Sequence, residues 1–193
     1  MLETLQQWDT AFFYWINNAQ SNSFFDVVMV FVTDDGNWKI PFGIFIVAML
    51  IFGGRRERTA VLLAVPLITI SDQTSSNFLK HTFERIRPCH VLEHVNLLVG
   101  CSHSFSMPSS HAANMGAATI HFSFFYRKLT PILLFVGVLV AYTRPYVGVH
   151  YPFDVIVGLL VGLFAALATQ GLLRLGTIVF QRLKARRAAA SST

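Results

Sequence analysis

Three short stretches hold nearly all the side chains able to do chemistry. They are Lys80-His81-Thr82-Phe83-Glu84-Arg85-Ile86-Arg87-Pro88, then Pro108-Ser109-Ser110-His111, then Thr143-Arg144-Pro145-Tyr146-Val147-Gly148-Val149-His150-Tyr151-Pro152-Phe153-Asp154. Lys80, Arg87 and Arg144 are cations at the ends of apolar runs. An unpaired charge at that depth is costly, so such residues are functional candidates by default. Together they balance a phosphate dianion, with Arg supplying planar paired donors and Lys a point charge. Interfacial snorkelling would explain any one of them alone. His150 and Asp154 stand four apart, with Pro152 suited to the first turn of a helix, so both fit one face. A carboxylate behind an imidazole holds one ring nitrogen and leaves the other free to attack or to take a proton. Pro108-Ser109-Ser110 before His111 reads as a helix start, whose free N–H groups attract anions. The bland alternative makes His111 and His150 ordinary interfacial histidines. Neither a G-x-S-x-G elbow nor a phosphate-binding G-x-x-x-x-G-K loop is present.

The elements that must position these residues are membrane helices. Of 193 residues, 53% are hydrophobic and only 13% charged. Soluble domains carry about 25% charge, so disordered chains, coiled coils and most soluble enzymes are excluded. Candidate spans are Trp38–Phe52, Thr59–Phe78, Ala112–Tyr126, Pro131–Thr143 and Phe153–Leu175. Several fall short of the roughly 20 residues a span needs, so their flanks must extend them. Upstream, Leu5–Asn18 and Phe24–Thr33 are too short to span alone. Trp8, Phe12, Trp15 and Ile16 recur at helical spacing, which predicts an amphipathic helix in the interface. The alternative joins both segments into one broken sixth span. The expected fold is therefore all-α: a polytopic transmembrane bundle of five spans, or six, with an N-terminal amphipathic helix. Residues 1–36 form the amphipathic region, 37–178 the membrane domain and 179–193 a basic tail. Met1–Thr10 lacks a basic start and a long apolar core, so the spans themselves are expected to direct insertion.

The net charge of +5 does not point to nucleic acid, because the basic residues cluster between apolar runs. Arg55, Arg56 and Arg58 share one loop, and Arg127 and Lys128 another. Arg174, Arg182, Lys184, Arg186 and Arg187 fall at the end of the chain. These are 10 of the 15 basic residues, and spans two to five put them on one side, expected to be cytoplasmic. The three reactive stretches then meet on the opposite side, facing the periplasm or exterior of an inner membrane. Lys39 and Arg85 remain there without a role.

The three stretches resemble the signature of the type-2 phosphatidic acid phosphatase superfamily: K-x6-R-P, then P-S-G-H, then S-R-x5-H-x3-D. The match runs through Lys80, Arg87, Pro88, Pro108, Ser109, His111, Arg144, His150 and Asp154. Ser110 replaces the Gly and Thr143 the Ser, both small polar exchanges. The resemblance covers less than half the chain, but its order and spacings are specific. It implies a helical bundle with its site at the outer membrane face, working through a phosphohistidine without metal or other cofactor. His150 would be the nucleophile, Asp154 its orienting carboxylate and His111 the acid and base. Lys80, Arg87, Ser109 and Arg144, with backbone N–H groups near Ser110, would hold phosphate oxygens. The implied substrate is a lipid phosphate or diphosphate within the bilayer, with an isoprenoid diphosphate such as undecaprenyl diphosphate preferred. Phosphatidylglycerophosphate, lipid A and phosphoryl transfer to another lipid remain alternatives. A non-catalytic lipid-binding or transport protein would not need His150 with Asp154.

Cys89 and Cys101 are the only cysteines, and both fall in the outward loop. A disulfide closing a lid is the preferred reading there, with free thiols or a metal site sharing His90, His94 and His103 as alternatives. Asp72, Ser76 and Lys80 recur at four-residue spacing. They read either as polar glue between helices or as support for Lys80. His81 and His121 receive no catalytic role.

Overall fold

The computed structural model describes residues 2–190; the end of the expected basic tail, 191–193, lies outside the described residues. Every regular element among the described residues is a helix. Helix α1 is Leu2–Tyr14, extended by a wide π turn at Trp15–Ala19. Then come α2 (Ser23–Thr33), α3 (Asp35–Phe52) and α4 (Arg55–Gln73). A π turn at Thr74–Leu79 carries α4 on into α5 (Lys80–Phe83), and α6 is Pro88–Val91. The last three are α7 (Ser110–Phe125), α8 (Thr130–Tyr146) and α9 (Pro152–Ala190).

Four of the five expected spans are found inside longer helical stretches, and Ala112–Tyr126 overruns α7 by one residue, since Tyr126 is the C-cap. Backbone hydrogen bonding does not stop where the side chains turn polar, so caps and not hydropathy set the ends. Asn22 caps α2 by accepting from Phe25 N–H, and Asp34 caps α3 by accepting from Gly36 N–H at 2.8 Å. Three helical stretches, Asp35–Phe52, Arg127–Tyr146 and Pro152–Lys184, are long and apolar enough to cross a membrane. Helix α9 runs without a break through position 178, where the basic tail was expected to begin.

Helix α7 is the hub, packing on α9, α8 and α4. Its Ala112, Ala113, Gly116 and Ala117 form a stripe of small residues. This stripe meets Gly158 and Gly162 of α9. A Cβ on Gly162 would run into Ala113 O and Ala117 N, and one on Gly158 into Ser109 O. Backbone-to-backbone approach of this kind is how helices associate where no hydrophobic drive separates protein from lipid. Buried His121 ties the hub to its neighbours, with Nε2 2.8 Å from Ala60 O and Nδ1 3.2 Å from Gln170 Nε2. Outside this hub the bundle turns apolar side chains outward. Helix α3 has no buried residue, and Ile40, Phe42, Ile44, Phe45 and Phe52 are exposed along it. An exposed apolar surface of that extent is built for lipid.

The N-terminal helix departs from the expected stripe. Trp8, Phe12 and Trp15 are exposed, but Ile16 is buried and belongs to the opposite face. That inner face carries Asp9, Phe13 and Asn17, all fully buried. Asn17 Nδ2 donates to Tyr146 O at 2.7 Å and to Asn96 O at 2.8 Å, and its Oδ1 accepts from Asn96 N–H at 2.8 Å. Helix α1 is thus stitched by polar groups to the end of the bundle that bears the reactive stretches.

Candidate active site

The ends of α3, α4–α5, α7 and α8, with the turn just ahead of α9, surround one cavity of about 390 Å³. Among its lining residues are Lys80, Arg87, Ser110, His111, Arg144 and His150, with Asp35 and Asp72 also at the wall. All three stretches picked out in the sequence therefore contribute to it.

The last stretch reaches the cavity by a sharp reversal. Gly148 has φ +88°, and a Cβ there would meet Asn96 O at 3.0 Å. A left-handed turn this crowded suits only Gly. It lets the chain leave α8 after Arg144 and deliver His150 just ahead of α9. His150 is 2% exposed. Its Nδ1 lies 3.5 Å from Asp154 Oδ2 and 3.4 Å from Ser106 Oγ. Its Nε2 lies 3.2 Å from Arg87 Nη1. A carboxylate on one nitrogen and a cationic donor at the other favour the tautomer with Nδ1–H and a lone pair on Nε2. Burial pulls the imidazole down to about 3, opposed by Asp154 and reinforced by Arg87 and Arg144. The ring is therefore neutral, with Nε2 available, throughout the physiological range.

Asp154 is fully buried. Its Oδ2 accepts from Tyr151 N–H at 2.8 Å and from the Ser106 hydroxyl, and its Oδ1 from Arg85 Nη1 at 2.8 Å. Arg87 is held by its whole fork. Nε and Nη2 donate to Ser104 O and Oγ at 2.8 and 2.9 Å, and Nη1 to Val149 O at 3.1 Å. Lys80 Nζ sits 3.4 Å from Ser104 Oγ. Arg144 Nη1 donates to Thr33 Oγ1 at 2.6 Å.

The second stretch folds as a capped helix start. Ser109 is buried, and its hydroxyl accepts from Ala112 N–H at 3.5 Å. Its own N–H donates to Asp154 O at 2.9 Å, so the starts of α7 and α9 are joined directly. Ser110 and His111 line the cavity, while the Ser109 side chain is spent on the cap. His111 Nε2 is 3.4 Å from Asp35 Oδ1. Of the polar face on α4, Asp72 Oδ1 accepts from Asn114 Nδ2 at 2.9 Å and Ser76 Oγ lies 2.8 Å from Ser110 Oγ. These bonds tie α4 to α7.

Cys89 and Cys101 are bonded to each other in the structure, with Cα atoms 6.5 Å apart. Gly100 and Ser102, on either side of Cys101, both line the cavity, so the bridge fixes one wall. His90 Nε2 is 3.3 Å from Cys101 Sγ, and the His90 ring stacks on His103.

Arg85, Ser106, Ser104, Asp35 and Asp9 were not singled out from sequence. Serines give no local signal of a distant partner. Arg85 and Asp9 did carry one: a charge in an apolar chain with no role assigned.

An oriented imidazole facing three cations, in a bundle clad with apolar side chains, defines a membrane enzyme of phosphoryl chemistry. Comparison with known proteins gives the family. The family model described as the PAP2 superfamily matches residues 59–174, and the chain belongs to that superfamily. A lipid A 4'-phosphatase from Bacteroides thetaiotaomicron is 28% identical over 172 residues, covering 85% of this chain and 76% of that one. The undecaprenyl-diphosphatase BcrC of Bacillus subtilis is 30% identical over 145 residues, covering 75% and 73%. The crystal structure of a transmembrane PAP2 type phosphatidylglycerolphosphate phosphatase from Bacillus subtilis superposes with a TM-score of 0.71. It is 25% identical, with 89% of this chain and 87% of that one covered. This chain is a multi-pass membrane lipid phosphatase, a phosphoric ester hydrolase.

Proposed function

We propose that the chain removes a terminal phosphate from a lipid held in the bilayer, through a phosphohistidine on His150. The observation that carries this is the His150 ring itself, with Nδ1 turned to Asp154 and Nε2 in a cavity shared with Lys80, Arg87 and Arg144. Nε2 attacks phosphorus while the bond to the leaving oxygen breaks, and His111 gives that oxygen a proton. The resulting imidazolium keeps its Nδ1–H on Asp154. His111 then takes a proton from water as the water attacks phosphorus and the N–P bond breaks. Lys80, Arg87, Arg144 and N–H groups at the start of α7 carry the charge on the other oxygens. Ser109 contributes as the cap that holds those N–H groups in place. Three protein cations supply the charge that a divalent ion supplies elsewhere, so no metal is required.

Undecaprenyl diphosphate, or another isoprenoid diphosphate, is the preferred substrate. The match to the undecaprenyl-diphosphatase of Bacillus subtilis supports it. The lipid A 4'-phosphatase match favours a second reading, a lipid A phosphate. Purified protein should be offered isoprenoid diphosphate, lipid A and phosphatidylglycerophosphate with EDTA present. Phosphate release is expected to continue under EDTA and to be fastest with the isoprenoid diphosphate. Loss on chelation with recovery on Mg²⁺ would overturn the metal-free reading, and a faster rate with another lipid would replace the substrate.

The helix ends support five spans, formed by α3, α4–α5, α7, α8 and α9. Asp35, Lys80, His111 and Arg144, with His150 just ahead of α9, mark alternating helix ends that meet at one cavity, as five antiparallel spans require. Helices α1 and α2 begin and end on that same side, with α1 amphipathic against the membrane surface. The basic loops at Arg55–Arg58 and Arg127–Lys128 fall at the other end, and this charge bias supports a site facing outward from the cytoplasm of an inner membrane. A membrane-impermeant thiol reagent is expected to label Cys89 or Cys101 in reduced, intact spheroplasts. Arg56→Cys in a chain freed of both native cysteines should react only after lysis. The reverse pattern would turn the site inward.

A further inference from the structure

Arg85 lies between two carboxylates that burial has removed from water. Nη1 is 2.8 Å from Asp154 Oδ1 and Nη2 is 2.7 Å from Asp9 Oδ2; both acids are fully buried. Nη2 also donates to Gln6 Oε1 at 2.7 Å, and the guanidinium lies 3.9 Å from the centre of the Tyr151 ring. Asp9 Oδ1 accepts from Phe153 N–H at 2.9 Å, so the same carboxylate grips the first turn of α9. The backbone of Arg85 acts too. Its carbonyl accepts from Ser106 N–H at 2.7 Å, and the Ser106 hydroxyl donates to Asp154 Oδ2. Asp154 is thus held directly by the Arg85 side chain and through Ser106 by its main chain.

We propose that Arg85 and Asp9 are positioning residues for the nucleophile, which makes the N-terminal helix part of the catalytic apparatus and not only a membrane contact. The proposal rests on His150 being that nucleophile. Arg85 takes the oxygen of Asp154 that His150 does not use, which fixes the carboxylate plane and aims Oδ2 at Nδ1. Left alone, a full guanidinium charge on Asp154 would draw off the negative charge that must stabilise the phosphorylated imidazolium. Asp9 shares that guanidinium and returns part of the charge to Asp154. It also holds Arg85 in register with the start of α9. Buried networks of this kind act as units, and loss of one member disturbs the others.

Asp9→Asn separates this role from simple anchoring, because the amide keeps the size and can still accept from Phe153 N–H. The full chain in detergent would be assayed on the best lipid of the panel, with thermal stability measured in parallel and phosphoenzyme followed by rapid quench. For Asp9→Asn, kcat is expected to fall about 10- to 100-fold, as when a supporting hydrogen-bond partner is lost. KM should stay within about threefold and the phosphohistidine should form more slowly. Arg85→Lys, which can reach only one carboxylate at a time, should fall between the wild type and Arg85→Ala. A folded Asp9→Asn protein with kcat within about twofold of wild type, or with a change in KM alone, would overturn the proposal. If Asp9→Asn does not fold, Arg85→Lys decides: wild-type kcat in that variant overturns it equally. His150→Ala, assayed alongside, keeps the two readings apart. Turnover there removes the nucleophile itself, whereas a dead His150→Ala beside a fully active Asp9→Asn removes only the role of Asp9 and Arg85.

Discussion

His150→Ala should bring lipid phosphate release to the background rate, a loss on the order of 10⁴-fold or more, as for other nucleophiles whose removal ends covalent catalysis. Among the side chains described at the cavity, no second imidazole is backed by Asp154. Lys80 and the two arginines are cations, and His111 faces Asp35 rather than the carboxylate behind the nucleophile. The protein should still fold, since the imidazole hangs on Asp154, Ser106 and Arg87, which retain other partners. Wild-type enzyme quenched in alkali should carry a base-stable, acid-labile phosphate that His150→Ala lacks. Near-normal release by the variant would defeat the covalent mechanism.

Arg87→Ala should cost about 10³-fold in kcat/KM, the range found when a charged clamp on a transferring phosphoryl group is removed. Arg87→Lys should recover little of it. The guanidinium spans Ser104, Val149 and His150 Nε2 at once, and an ammonium cannot reproduce that fork. Arg87 is also the cation nearest Nε2, so the variant should bind vanadate more weakly than the wild type. Recovery of wild-type kcat/KM with Lys would mean that only its charge matters.

The bundle was legible because lipid imposes a strong rule: long apolar runs must be helices with satisfied backbones. The reactive stretches were legible because a charge such as Lys80 or Arg144 is expensive beside lipid. What sequence could not give was pairing over distance. Nothing near Asp9 announces Arg85, separated from it by several helices, and Ser106 is one serine among many. Other helix boundaries escaped for a related reason: the caps at Asn22 and Asp34 are polar residues that hydropathy counts against a helix, whereas the start at Ser109 was legible from Pro108 and the serines. The inner face of α1 escaped because Trp8, Phe12 and Trp15 dominate its apolar pattern while Asp9 and Asn17 do the docking.

The glycine contacts between α7 and α9 have a mechanical consequence. With Gly158 and Gly162 against the α7 backbone, and Ser109 N–H on Asp154 O, the ends bearing His111 and Asp154 tilt as one rigid wedge. Helix α3, which packs on α4 and α2 and has no buried residue, is the compliant member. A thicker or more ordered bilayer therefore loads α3 first, and with it the wall of the cavity at Asp35. Membrane composition is then expected to change how readily a lipid headgroup enters more than it changes the spacing of the two histidines. Turnover of bilayer lipids should follow membrane thickness, and turnover of short, water-dispersed phosphates should not.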